Sequence, residues 1–315
     1  MKQATTTGTG KYEALLERCR NLEPVPTAVA YPCEASALIG AVEAAEKKLT
    51  KPILVGPAAK IAEIAKTAGV SLTGLEIVDV PEAPAAAEKA VALVREGRAE
   101  VLMKGSLHTD ELLSAVVSRE KGLRTGRRIS HAFLMDVPTY HKVLIVTDAA
   151  INIAPVLEDK VDICQNAIDL AISLGRDKPK VAVLAAVETV NSKMPATLDA
   201  AALCKMADRG QIKGGIVDGP LAFDNAISKD AAKTKGITSE VAGDPDILLA
   251  PDLEAGNILA KQLSFLANAD SAGLVLGARV PIILTSRADS VRSRIASCAV
   301  ACQVAHSRRS KPGRS

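Results

Sequence analysis

Ten short apolar runs recur along this chain, and several carry their apolar residues consecutively. They are PILVG (52–56), LEIVDV (75–80), EVLMKG (100–105), HAFLMDV (131–137), KVLIVTDAA (142–150), KVAVLAAVE (180–188), GGIVDGP (214–220), DILLAPDL (246–253), AGLVLG (272–277) and PIILTS (281–286). A strand with one face in water alternates apolar and polar residues, whereas a strand covered on both faces does not. Between the runs lie Ala-rich amphipathic segments at 34–49, 85–97, 161–175, 196–210 and 255–269. Strand-length runs alternating with helix-length segments specify an α/β fold with mostly parallel strands. A chain of 315 residues, 48% of them hydrophobic, can bury such a core, and its length suits two domains.

One pair breaks the rhythm. ISHAFLMDV (129–137) and KVLIVTDAA (142–150) are joined only by PTYH, too short for the crossover that parallel strands need. The pair is therefore expected as an antiparallel hairpin, and the interruption near Arg128 marks the expected domain boundary. No internal repeat or low-complexity linker accompanies it.

Several function classes are disfavoured. No apolar run is long enough to cross a bilayer, and MKQATTTGTGKYEALLERC at the N-terminus has no apolar h-region. A cytoplasmic protein with no membrane partner is expected. With 2% aromatic residues and no Trp there is little on which to stack bases. The cations of the final segment (Arg308, Arg309, Lys311, Arg314) read as a frayed end, and no nucleic-acid partner is expected. The six cysteines include no Cys-x-x-Cys; Cys298 and Cys302, four apart, read as small packing residues, and no metal site is expected. There is no G-x-G-x-x-G after a strand, no H-E-x-x-H and no G-x-S-x-G, and GTGKY (8–12) lacks the earlier Gly of a P-loop.

Polar residues collect after the apolar runs. EVLM is followed by Lys104-Gly105-Ser106, VLIV by Thr147-Asp148 and then Asn152, and GIV by Asp218-Gly219-Pro220. ILLA leads to Asp252, Gly256 and Asn257, and IILT to the elbow Ser286-Arg287-Ala288-Asp289. Open α/β sheets bind ligands beyond the carboxyl ends of their strands, so these five ends are expected to converge on one pocket. Helix capping could account separately for Asp148, Asp252 and Asp289, but not for Lys104 or Arg287. Arg292 and Arg294 fall in the first turns of the last helix, whose N-terminus already favours an anion such as phosphate. Those two are read as facing water, which leaves Arg287 as the anion-binding cation. His131 and His141 flank the hairpin, and His131, beside Ser130, can reach the cleft.

Five of these stretches, in order, resemble the phosphate acetyltransferase/phosphate butyryltransferase family: LMKGSLHTDELL (102–113), ISHAFLMDVPTYHKVLIVTDAAINIAP (129–155), VDGPLAFDNAIS (217–228), PDLEAGNILAKQL (251–263) and LTSRADS (284–290). Their detail looks more like the butyryl-type and hydratase-associated branch. The resemblance implies a two-domain α/β/α sandwich of the isocitrate/isopropylmalate dehydrogenase type, with the active site in the interdomain cleft. Residues 1–128 with 288–315 would form the first domain and 129–287 the second. It implies transfer of a short acyl group, acetyl favoured and butyryl as the alternative, between coenzyme A and phosphate. Both would be substrates, with no permanently bound cofactor, and the protein would be a homodimer.

The same resemblance places Ser286 and Arg287 at the reacting centre. The family's basic Asp falls at Ser293, so Asp289 is the nearest elbow carboxylate and the candidate base. The Arg that the acetyl enzymes carry just after the third strand motif has no clear counterpart here; the Lys104/His108 region would substitute for it, with Ser106 beside it as a substrate-binding residue. Ser130, His131, Asp148, Asn152, Asp218, Gly219, Pro220, Asp252, Gly256 and Asn257 would line the cleft. Two other readings compete. An NAD(P)-dependent hydroxy-acid dehydrogenase on this fold would need clustered Asp residues for a metal and a Lys–Tyr pair; three tyrosines and no DxxxD run count against it. A regulator that binds coenzyme A or phosphate without turnover is the other, permitted by the missing base.

Overall fold

In the computed structural model, which describes residues 10–285 and 289–310, every one of the ten runs supplies a strand to a single sheet. These are β2 (Thr50–Gly56), β3 (Glu76–Asp79), β4 (Val101–Lys104), β5 (Ser130–Asp136), β6 (Leu144–Thr147), β7 (Lys180–Leu184), β8 (Ile216–Leu221), β9 (Ile247–Leu249), β10 (Asp270–Leu276) and β11 (Ile282–Ile283). An eleventh, β1 (Val25–Ala30), comes from VPTAVA, where Pro26 and Thr27 interrupt the apolar pattern. The Ala-rich segments become α2 (Ala35–Glu46), α4 (Ala83–Arg95), α6 (Leu157–Ser173), α7 (Pro195–Asp208) and α10 (Leu253–Leu266). The other described helices are α1 (Lys11–Cys19), α3 (Ala58–Ala68), α5 (Thr109–Val117), α8 (Phe223–Ile227), α9 (Lys229–Thr234) and α11 (Val291–Arg309). None of them is long and apolar enough to cross a membrane.

The strand order is β3-β2-β1-β4-β11-β10-β5-β6-β9-β7-β8. β5 and β6 pair antiparallel through Phe133 and Val146, the expected hairpin. β11 runs parallel to β4 but antiparallel to β10, and β10 runs antiparallel to β5. Three reversals thus separate β4 from β6. The sheet is two parallel blocks running in opposite directions, joined by an antiparallel strip. The ends of β6, β8 and β9 point away from those of β4 and β11, so a pocket that the ends share has to lie across the strip and not along one edge.

Alternation along the strands sorts their side chains into two layers. Met103, Ile283, Leu274, Ala132, Ile145 and Leu249 belong to one continuous core with α2, α6 and α11. The opposite face is divided. Leu102, Ile282 and Val275 pack under α4 and α5, whereas Met135, Val146 and Leu248 belong to a separate cluster with α8 and α10. Helices on both sides make an α/β/α sandwich whose core is unbroken on one face and parted on the other.

The last helix explains its own odd composition. Every residue from Arg294 to Ala305 is buried, so α11 has no solvent face over three turns, and IASCAVACQVA supplies the small side chains that allow close approach. It packs on β10, α1, α2 and α6. Cys298 and Cys302 are fully buried within it, as their packing role required.

Candidate active site

The parting of the core falls over β10, and Gly273 lies at its centre. Gly273 pairs with Phe133 across the antiparallel strip. A Cβ there would come within 2.8 Å of the Leu284 carbonyl oxygen and 3.1 Å of His131 Nε2. The missing side chain lets His131 and the end of β11 approach one another, the usual meaning of a glycine inside a strand. In the sequence Gly273 stands only as part of the AGLVLG strand, although a glycine inside an apolar run is itself a signal of close approach.

His131 is 1% exposed, with its ring edge-on to Phe133 at 4.4 Å between centroids. Among the described residues, its Nδ1 has no hydrogen-bond partner. Burial pushes its pKa down to about 4, opposed by the nearby Asp148 carboxylate. The imidazole is therefore neutral at neutral pH, a state that can donate one hydrogen bond and accept another. Ser130, next in sequence, points into the other layer and accepts from Asn166 of α6 at 3.0 Å; it fastens the hairpin rather than lining the parting.

Lys104, one residue past Met103, falls on the parted face at the end of β4 and is 5% exposed. Its Nζ lies 3.4 Å from the Gly105 carbonyl oxygen. Ser106 bridges to the loop after β1, donating to Tyr31 O at 2.8 Å and accepting from Cys33 N at 3.0 Å. His108 opens α5, is exposed, and gives its backbone N–H to Glu111 Oε2 at 2.7 Å.

On the far side of the parting, Asp148 organises the loop after β6. It accepts from Ala150 N (2.9 Å), Ile151 N (3.1 Å) and Asn152 N (3.3 Å), and from the Asn152 side chain. Capping of a helix is not its role, since α6 starts only at Leu157. Asn152 in turn donates to Ile129 O and accepts from Arg128 Nε at 2.6 Å. Asp252 caps α10 by accepting from Ala255 N at 2.8 Å, and Asn257 donates to Ala149 O at 2.9 Å. Gly256 lies against the Asp148 carbonyl so closely that any Cβ would overlap it. This half of the lining is a hydrogen-bonded loop with its carboxylates already occupied.

Asp218, Gly219 and Pro220 lie inside β8, at the edge of the sheet with six strands between it and β4. At ~4.8 Å per strand they are on the order of 30 Å from Lys104. The structure does not bring them to the other residues.

Ser286 and Arg287 lie outside the described residues. The flanks of their elbow correct two expectations. Ser290, not Asp289, caps α11, accepting from Ser293 N at 3.1 Å. Nor do the two following arginines face water. Arg292 donates to Asp270 at 2.7 Å and Glu13 at 3.3 Å while its guanidinium stacks 3.6 Å from the Tyr12 ring centre. Arg294 is 2% exposed and donates to Thr285 Oγ1 at 2.6 Å; burial lowers its pKa, against the attraction of Asp289. A guanidinium with carboxylate and aromatic partners within reach gains more there than in solvent. Among the described residues no group of three or more His, Cys, Asp or Glu is placed to hold a metal ion.

The family model described as phosphate acetyl/butaryl transferase matches residues 83–302, which span the parted face, both flanks of the elbow and most of α11. The chain is 62% identical to the phosphate acetyltransferase of Rhizobium meliloti over 299 residues, 95% of each protein. The chain belongs to this family. Members of the phosphate acetyl/butaryl transferase family are acyltransferases, and so is this protein. It is 44% identical to the phosphate butyryltransferase of Clostridium beijerinckii, across 93% of this chain and 97% of that one. A branched-chain phosphotransacylase from Enterococcus faecalis V583 superposes with a TM-score of 0.79 at 30% identity, covering 90% of this chain and 99% of its own. Within such an acyltransferase, Lys104, His131 and the Asp148 loop flank the parting, and the elbow follows β11, whose end lies beside Gly273.

Proposed function

We propose that this protein moves an acetyl group between coenzyme A and inorganic phosphate, with butyryl as the alternative acyl group. The observation that carries the reading is 62% identity, over 95% of each chain, with a protein named phosphate acetyltransferase. The parted face supports it, since a buried ammonium and a neutral imidazole flank a strand that carries no side chain at its centre.

In this reading Arg287 grips phosphate as a two-pronged donor and Lys104 adds a point charge. A phosphate oxygen attacks the thioester carbonyl carbon, the C–O bond forms as the carbonyl π electrons move onto oxygen, and collapse of this adduct then breaks the C–S bond. The tetrahedral oxyanion between them is stabilised by Ser286 or a backbone N–H beside it. Coenzyme A leaves as thiolate and takes a proton; in the other direction Asp289 removes that proton. Asp148 is unsuited to the task because its oxygens are occupied by the loop that it organises. Holding both substrates in line supplies much of the rate, with no covalent acyl-enzyme. Asn152, Asp252, Gly256 and Asn257 shape the far wall, and Ser106 and His108 the near one.

The reading also includes two units, 1–128 with 288–315 and 129–287, meeting at the antiparallel strip, and a cytoplasmic homodimer. Light scattering on the eluted protein tests the dimer. The decisive assay follows release of free thiol from acyl-CoA, from acetyl to hexanoyl, with and without phosphate. Phosphate-dependent release that is fastest with acetyl-CoA is expected. Release independent of phosphate overturns the proposal, and a maximum at butyryl replaces acetyl.

A further inference from the structure

Behind the sheet, on the face opposite the parting, lies a second hollow of about 220 Å³. Its floor is three cross-strand neighbours, Ala272, Leu134 and Ile145, and its walls are Leu15 of α1, Leu174 after α6 and Ala296 of α11. An apolar cavity of about 150 Å³ takes a benzene, so this one has room for a slightly larger body. The lid is α1, which packs through Tyr12, Leu15, Leu16 and Cys19 and is also tied by side chains reaching backbone carbonyls. Arg18 donates to Leu174 O at 2.8 Å, Gln303 to Leu15 O at 3.1 Å and Lys11 to Tyr140 O at 2.6 Å.

The mouth is cationic. Its carboxylates are engaged, Asp136 by Lys11 at 2.9 Å, Asp246 by Lys142 at 3.0 Å and Asp270 by Arg292 at 2.7 Å. Arg18 and Arg176 are different. Both are exposed and line the hollow; Arg18 donates to a carbonyl, and Arg176 lies only loosely beside Asp246, at 3.8 Å. An apolar floor under two guanidiniums suits an anion with a short hydrocarbon tail.

We propose that this hollow binds an unbranched monocarboxylate of about four to six carbons, carboxylate at Arg18 and Arg176 and tail on Leu134 and Ile145. Occupancy is transmitted to the elbow. Tyr12 and Asp270 line the hollow, and both are held by Arg292, two residues after the Ser290 cap of α11. A ligand that shifts α1 or the start of β10 therefore moves the first turn of the helix that follows Ser286 and Arg287. This coupling rests on the elbow holding phosphate, as proposed above; the binding itself does not.

Calorimetric titration of the full chain with acetate through octanoate, and with 1-hexanol as the uncharged control, tests the site. Saturable binding is expected to peak near hexanoate. The double variant Arg18→Glu/Arg176→Glu, altered only at exposed positions, should bind hexanoate at least tenfold more weakly and hexanol unchanged. Leu15→Trp should lose both ligands while keeping its melting temperature without ligand. No saturable acid binding, or equal binding in all three proteins, overturns the site. Hexanoate should also change the Michaelis constant for phosphate at least twofold in the unaltered protein and not in Leu15→Trp. Binding without that change overturns the coupling alone, and a protein inactive with every acyl-CoA but still titrating normally overturns the proposed reaction and not the site.

Discussion

Arg294 donates through Nη1 to the hydroxyl of Thr285 at 2.6 Å, tying the residue before the elbow to the helix after it. Both groups are buried, so the bond is expected to fix the elbow's span as well as to satisfy a desolvated guanidinium. Thr285→Val keeps the shape and removes the acceptor. A stability loss of about 1–3 kcal/mol in urea titrations is expected. The Michaelis constant for phosphate should rise with it. Unchanged stability would show that Arg294 is held by its other neighbours.

Gly256→Ala sets two effects against each other. Alanine inside a helix gains about 1 kcal/mol over glycine. Its Cβ, however, would overlap the Asp148 carbonyl oxygen, a rigid backbone atom. Such overpacking costs about 1–3 kcal/mol, so a net loss of stability and a disturbed Asp148 loop are expected. A higher melting temperature in calorimetry would mean that the loop gives way freely.

His131 makes stability depend on pH. Its folded pKa of about 4 lies below the ordinary 6.5. Above pH 6.5 neither state binds the proton and nothing is lost. As pH falls below 6.5 the unfolded chain protonates first, so stability declines down to about pH 4, by about 1.4 kcal/mol per unit of pKa difference at most. His131→Gln cannot protonate and should show a flatter profile in unfolding titrations between pH 7.5 and 4.5. Parallel profiles would assign the acid sensitivity to other groups.

Arg287→Ala should raise the Michaelis constant for phosphate and lower turnover, while Arg287→Lys keeps the charge without the two-pronged geometry and should recover part of the loss. Initial rates over a phosphate series decide it. An unchanged phosphate dependence in Arg287→Ala removes this residue from the site.

Much of the architecture is legible in the residues. Continuous runs such as EVLM and KVLIV reported strands covered on both faces, and the brief PTYH connection reported a reversal. The same reasoning, applied to AGLVLG and PIILTS with only Ala278-Arg279-Val280 between them, identifies the second hairpin of the strip. That second hairpin sets the ends of β6, β8 and β9 opposite in direction to those of β4 and β11. β1 was hidden because Pro26 and Thr27 break its apolar run, although neighbours on both sides bury it.

The site was legible in part. Lys104 and His131 lie at the parting, where the polar breaks in apolar runs placed them. Asp218 to Pro220 follow an equally apolar run, yet β8 is an edge strand, and strand order is a tertiary fact that no local pattern records. The partners of Arg292 could not be read either, since Glu13, Tyr12 and Asp270 are distant in the chain and meet it only through packing.

The placement of β11 between β4 and β10 bears on how the molecule is made. During synthesis β4 emerges early and presents an unpaired flank until Ile282 and Ile283 leave the ribosome. An open flank of that kind invites mispairing with other nascent chains. Completion of the sheet is thus postponed almost to the end of translation, and a polypeptide halted before β11 retains its first four strands with no inner neighbour to close them.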